Sequence, residues 1–181
     1  AAFPCQIRTG GPLKKDGERV FIRHLAIVTL ALSWTIAAHA ADPLVDGSWA
    51  VQNANAPGVV FLDVQSARNY QRRQIPGSIH TEYPEDGWRY FTTELGVAIP
   101  SPSEFARLVG GLGIANGDHV VVVATGSNER DMSVATDVYW TFRFFGHGEI
   151  SVLDGGLQGY RSARGAVESG EGIKRPPAEY T

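Results

Sequence analysis

The sequence predicts an α/β domain built on an open parallel sheet with helices on both faces. Three observations carry that prediction: short unbroken apolar runs, helical patterns between them, and glycine-rich punctuation where they join. Strands buried on both faces read as continuous apolar runs, and a helix crossing between two such strands makes them parallel.

The first run is Val59-Val60-Phe61-Leu62-Asp63, ending in a polar residue. Ser66 then opens a short polar helix through Arg72, and Ile75-Pro76-Gly77-Ser78-Ile79 is a turn leading into a short extended piece. Ser101-Pro102-Ser103-Glu104 is a capping box with proline at the first helical position, and Phe105, Leu108, Val109 and Leu112 follow at helical spacing. Gly113 ends that helix, Asn116-Gly117-Asp118 turns the chain, and Val120-Val121-Val122-Val123-Ala124 is the second buried strand. A loop is expected over 125–132 and a helix over 133–145, with Val138, Phe142 and Phe145 along one face and Gly146 as its stop. Ile150-Ser151-Val152-Leu153-Asp154 is the third strand, and Gly155-Gly156 turns tightly into a short helix carrying Leu157 and Tyr160. Ligands of such sheets sit at the carboxyl ends of the strands, so the loops after Asp63, Ala124 and Asp154 are where a site is expected.

A chain of 181 residues accommodates one domain with appendages. Hydrophobic residues at 43% and charged residues at 19% suit a globular core rather than disorder. A net charge of -3 without long like-charged runs disfavours nucleic acid and membrane surfaces as partners. With a single cysteine, Cys5, neither an intrachain disulfide nor a cysteine-based metal cluster can form.

Residues 1–40 read as an unstructured leader. Within it, about residues 20–40 form a short basic lead, an apolar run from Leu25 to Ala38 and an Ala38-His39-Ala40 ending, the three parts of a signal peptide. The run is too short to span a bilayer. Cleavage after Ala40 and an exported, periplasmic or secreted protein are expected, with Val20 as an alternative start. The mature chain then divides into an N-terminal segment over 41–57, the domain over 58–167, and a Gly- and Pro-rich linker over 168–181.

At this point several motifs line up with one family. Asp63-Val64-Gln65-Ser66 with Tyr70, Ile75-Pro76-Gly77-Ser78-Ile79-His80, Leu112-Gly113-Ile114 and Val152-Leu153-Asp154-Gly155-Gly156-Leu157 resemble, in order and spacing, the rhodanese-like domain. The resemblance implies a parallel sheet of about five strands with helices on both faces. Physically the motif residues Asp63, Pro76, Gly77, Asp154, Gly155 and Gly156 form a scaffold: a strand-end carboxylate that accepts backbone N–H groups, a fixed turn, and a close backbone approach.

Rhodanese chemistry moves a sulfane sulfur through a cysteine persulfide, whose thiolate sits among backbone N–H groups at a helix start. In the family that cysteine follows the strand equivalent to 120–124. Here the equivalent loop reads Thr125, Gly126, Ser127, Asn128, Glu129, Arg130, Asp131 and Met132, with no cysteine, so no catalytic residue is assigned. The loop, and the Tyr139-Trp140 and Phe142-Arg143-Phe144-Phe145-Gly146-His147 segments after it, are similar to the non-catalytic first domain of tandem thiosulfate or 3-mercaptopyruvate sulfurtransferases. That implies a second rhodanese domain as partner, a small sulfur-containing anion as the full-length enzyme's substrate, and no cofactor. The family's arginine after Asp-Val is Gln65 here and its histidine before Ile-Pro-Gly is Gln74; both sites are expected to be exposed.

Competing readings are weaker. Cys5 lies upstream of the leader's apolar run, and Ser127 lacks the nucleophile-elbow pattern of hydrolases. His24, His39, His80, His119 and His147 show no metal-ligand spacing. Arg130 is flanked by Glu129 and Asp131, which favours a solvated loop with local salt bridges over an anion site. Tyr139, Trp140, Phe142, Phe144 and Phe145 run nearly all around their helix, so some of them face something other than this small core. A stand-alone, non-catalytic binding module of the same fold stays open as the alternative. A related phosphatase is excluded, because its loop also needs the missing cysteine.

Overall fold

The computed structural model describes residues 40–83, 85–94 and 96–181. The leader and its signal peptide, with Cys5, His24 and His39, lie outside the described residues.

Alternation within the valine-rich runs sets the architecture. Strands β1 (Leu44–Val45), β2 (Val59–Asp63), β3 (Ile79–His80), β6 (His119–Val123) and β7 (Ile150–Leu153) form one sheet in the order β1-β7-β6-β2-β3, with parallel pairing throughout. Successive side chains of a strand point to opposite faces. Val120 and Val122, with Val60 and Leu62, therefore pack on the side covered by helices α3 (Pro102–Gly111) and α4 (Glu129–Phe144). Val121 and Val123, with Phe61, pack on the other side against α1 (Gly47–Asn53) and α5 (Gly156–Ser162). The remaining helix, α2 (Ala67–Arg72), follows β2 and buries Tyr70. A separate antiparallel hairpin, β4 (Tyr90–Thr92) with β5 (Gly96–Ala98), leads into α3.

The larger core is dense in rings. Phe105 of α3 stacks on Phe145 at 4.3 Å and meets Phe142 edge-on at 5.3 Å, while buried Trp88 closes on both Phe105 and Phe142. Its indole N–H donates to the Thr81 hydroxyl at 2.8 Å, satisfying the one polar atom that burial would leave costly. The expected Ser101 capping box is present in both directions, with the Ser101 backbone N–H donating to Glu104 at 2.8 Å.

Several expectations change. Helix α4 begins at Glu129 instead of residue 133, so Glu129, Arg130, Asp131 and Met132 are its first turn rather than loop. The cause is local: the Asn128 side chain accepts the Asp131 backbone N–H at 3.1 Å, and two acidic residues favour the positive end of the helix. Segment 41–57 contributes β1 and α1, the latter capped by Asp46 accepting from the Trp49 backbone N–H at 2.7 Å. Segment 168–181 is tied down along its length. Gln74 and Glu168 exchange backbone hydrogen bonds at 2.9 and 3.0 Å, Arg175 pairs with Asp118 at 3.2 Å, and the Tyr180 ring meets Phe105 edge-on and stands 3.0 Å by its hydroxyl from His147 Nδ1. Gln65 and Gln74, expected to be exposed, are 5% and 1% exposed. Among the described residues no helix is long and apolar enough to cross a membrane.

Of the aromatic girdle on α4, Phe142 is buried, Tyr139 and Phe145 are half-buried, and Trp140 and Phe144 stack on each other in solvent.

Candidate functional site

Because the strands run parallel, β2, β6 and β7 all deliver their carboxyl ends to one edge of the sheet. Asp63 ends β2 in full burial and accepts two hydrogen bonds from Gln65, from its backbone N–H and from Nε2, each 2.9 Å long. Burial pushes its carboxyl up to about 6, and the two Gln65 hydrogen bonds and the nearby His80 offset only part of that rise. His80 on β3 stands 2.7 Å by Nε2 from the Gln65 carbonyl and stacks on Tyr70, whose hydroxyl donates to the Ser78 carbonyl at 2.7 Å. Ser78 N–H donates to Ile75 O at 3.0 Å across Pro76 and Gly77, and Gly77 takes the positive φ of 77° that this turn requires.

Gln65 links this floor to the loop after β6, since the Thr125 hydroxyl donates to its Oε1 at 3.2 Å. Here the backbones of two loops touch. Leu157 N–H donates to Ala124 O at 2.8 Å and Gln158 N–H to Thr125 O at 3.3 Å. A side chain on Gly126 would land on the Gly155 carbonyl, and one on Gly156 on the Ala124 carbonyl. Gly126, Gly155 and Gly156 all have positive φ, so glycine is required by both space and conformation. Asp154 contributes through its backbone, donating to Val45 O at 2.8 Å, while its side chain is exposed.

The loop itself is bound to Asp131. One Asp131 carboxylate oxygen accepts from the Ser127 backbone N–H and from Asn128 Nδ2, both at 3.2 Å. The Ser127 hydroxyl accepts from Gln158 Nε2 at 3.1 Å, and no histidine is among its hydrogen-bond partners. Among the described residues, the hydrogen bond of the Ser127 hydroxyl comes from Gln158, which donates. Arg130 and Glu129 make no salt bridge among the described residues, in contrast to the local pairing expected of them. His80, His119 and His147 each bond to chain carbonyls or hydroxyls, and among the described residues no group of metal-ligating side chains is assembled.

Two cavities flank the Gln65–Thr125 contact. One, of about 310 Å³, is lined by Glu82, Tyr83, Glu85, Arg130 and Asp131; the other, of about 530 Å³, by Arg72, Arg73, Ser127, Gln158 and Arg161. Sequence reasoning placed the loop at this edge but missed Gln65 as its hub and the three arginines, which lie on helices distant in sequence. Buried Arg89 pairs with Asp137 at 2.6 Å, donates to Thr141 Oγ1 at 2.7 Å, and lies over the rings of Tyr83, a lining residue of the first cavity, and Trp140. Tyr83 also donates to Asp137; burial and that bond push its phenol up to about 12.

Comparison with known proteins gives a consistent assignment. The family profile described as rhodanese-like domain matches residues 46–163. Thiosulfate sulfurtransferase of Cricetulus griseus is 35% identical over 129 residues, 65% of this chain and 42% of that protein. The Rattus norvegicus thiosulfate sulfurtransferase is 34% identical over 117 residues, 65% of this chain and 35% of that protein. Among solved structures, SseA of Escherichia coli, described with the rhodanese fold of 3-mercaptopyruvate sulfotransferases, superposes with a TM-score of 0.64 at 22% identity, covering 78% of this chain and 56% of its own. The chain thus spans less than half the length of these two curated relatives.

Proposed function

The chain belongs to the rhodanese-like domain family, and we propose that within it this is the structural, non-catalytic domain of a sulfurtransferase whose persulfide-forming cysteine lies in a second domain. One observation carries the reading: the loop after β6 contains no cysteine, and its Ser127 N–H donates to the Asp131 carboxylate. Persulfide chemistry needs a thiolate stabilised by free N–H groups. An acidic side chain in that place takes up that N–H donor. The relatives are thiosulfate sulfurtransferases of more than twice the matched length, which supports a second domain as partner and a small sulfur-containing anion as the whole protein's substrate. Export with cleavage near Ala40 belongs to the same proposal and rests on the leader's composition.

The test is thiosulfate:cyanide transfer by this chain, alone and joined to a second rhodanese domain that carries a cysteine. Transfer only in the longer protein is the expected result; transfer by this chain alone overturns the proposal. N-terminal sequencing of the exported protein checks the leader, with Ala41 as the expected first residue.

A further inference from the structure

We propose that the 530 Å³ cavity between α2, the loop after β6 and α5 is a binding site for a small, multiply charged oxyanion of sulfur or phosphorus. The inference deepens the non-catalytic reading by naming a ligand class, and it depends on that reading only in predicting binding without turnover.

The charge of the lining is the first argument. Arg72 in the last turn of α2, Arg73 at its C-cap and Arg161 in the last turn of α5 all line this cavity, and no carboxylate does. The chain as a whole carries -3, so the positive charge is a local arrangement and not a consequence of composition. Both salt bridges among the described residues involve other arginines, Arg89 and Arg175, which leaves these guanidiniums without a fixed counter-charge. Like charges gathered in a concave site concentrate the field and raise the local population of anions. A basic residue at a helix C-terminus complements the helix dipole, which suffices to explain Arg72 or Arg161 singly. It does not explain why they turn to one cavity, nor why Arg73 joins them.

Neutral donors complete the site. Gln158 donates to the Ser127 oxygen, so the Ser127 hydroxyl proton is left to point at a ligand. Forked guanidinium donors with a hydroxyl match the several acceptor oxygens of a tetrahedral oxyanion better than a single carboxylate. The neighbouring cavity, lined by Glu82, Glu85 and Asp131 as well as Arg130, is a built-in negative control.

The experiment is calorimetric titration of the full chain with sodium sulfate and, separately, sodium phosphate, against sodium chloride at matched ionic strength. Saturable binding of either oxyanion, absent with chloride, is expected. Arg161→Gln and the double variant Arg72→Gln with Arg73→Gln should each weaken it about tenfold or more, whereas Arg130→Gln should leave it unchanged. All four side chains are exposed, so the variants should fold; circular dichroism confirms that before titration. An equal response to chloride, or undiminished affinity in both arginine variants, overturns the site. Cyanide-dependent transfer measured on the same samples keeps the two proposals apart, because turnover would sink the non-catalytic reading while leaving the binding isotherm standing.

Discussion

The floor of the site and the loop above it are fixed to very different degrees. Asp63 and Gln65 are buried and bonded to each other, and Gly156 stands where a side chain would meet the Ala124 carbonyl. The residues from Ser127 to Arg130 are exposed and are held chiefly through one carboxylate, that of Asp131. The motif residues by which the fold is recognised lie in the floor, so the fold is specified there whatever side chains the loop carries.

That contrast can be broken first at the glycines. Gly156→Ala forces a Cβ against backbone at a φ of 54°, and its expected cost is more than about 3 kcal/mol in urea unfolding, or failure to fold. Gly117→Ala, with open space around it and no positive φ, should change stability by less than about 0.5 kcal/mol. Equal costs at the two positions would remove the distinction between floor and surface.

Next is the pH dependence of Asp63. Its folded-state carboxyl lies at about 6, above the ordinary value of 3.8, so the fold holds the proton more tightly than the unfolded chain does. Its contribution is thus fully favourable below about 4 and is lost as pH rises through about 6, by on the order of 3 kcal/mol. Unfolding of the wild type and Asp63→Asn at several pH values between 4 and 7.5 isolates this group. The wild type should lose stability relative to the variant across that window; a relative gain would mean that an ion pair holds the carboxylate charged.

The loop should respond weakly. Asp131→Ala removes the acceptor for Ser127 and Asn128 at a half-exposed site, with an expected loss of about 1 kcal/mol or less. Smallest of all, Ser127→Cys should leave stability within about 0.5 kcal/mol and confer no sulfur transfer, because the Ser127 N–H stays bound to Asp131. Thiosulfate:cyanide activity in Ser127→Cys with Asp131 intact would show the loop to be more permissive than its hydrogen bonding implies.

How much was legible follows from the range of each interaction. The bounds of β2 at Val59–Asp63 and the Ser101–Glu104 cap are readable because a doubly buried strand is an unbroken apolar run and a capping box closes within four residues. The start of α4 was missed although its cause is equally local: Asn128 followed three residues on by Asp131 is a cap in which the acidic residue supplies the backbone N–H, a weaker pattern than serine with glutamate. Gln65 looked exposed because glutamine usually is. It is buried because its amide nitrogen meets the Asp63 carboxylate while its oxygen meets Thr125, sixty residues away.

By itself the sequence determined the layered parallel sheet and the absence of a cysteine in the loop after β6, since periodicity, turn chemistry and residue identity are properties of the chain read in order. Tertiary structure alone decided which charges share a cavity, that Asp63 is buried and hydrogen-bonded by Gln65, and that residues 168–181 pack back through Arg175 and Tyr180. Those outcomes depend on contacts between segments far apart in sequence, whose energies come from burial and from pairing that no local pattern encodes.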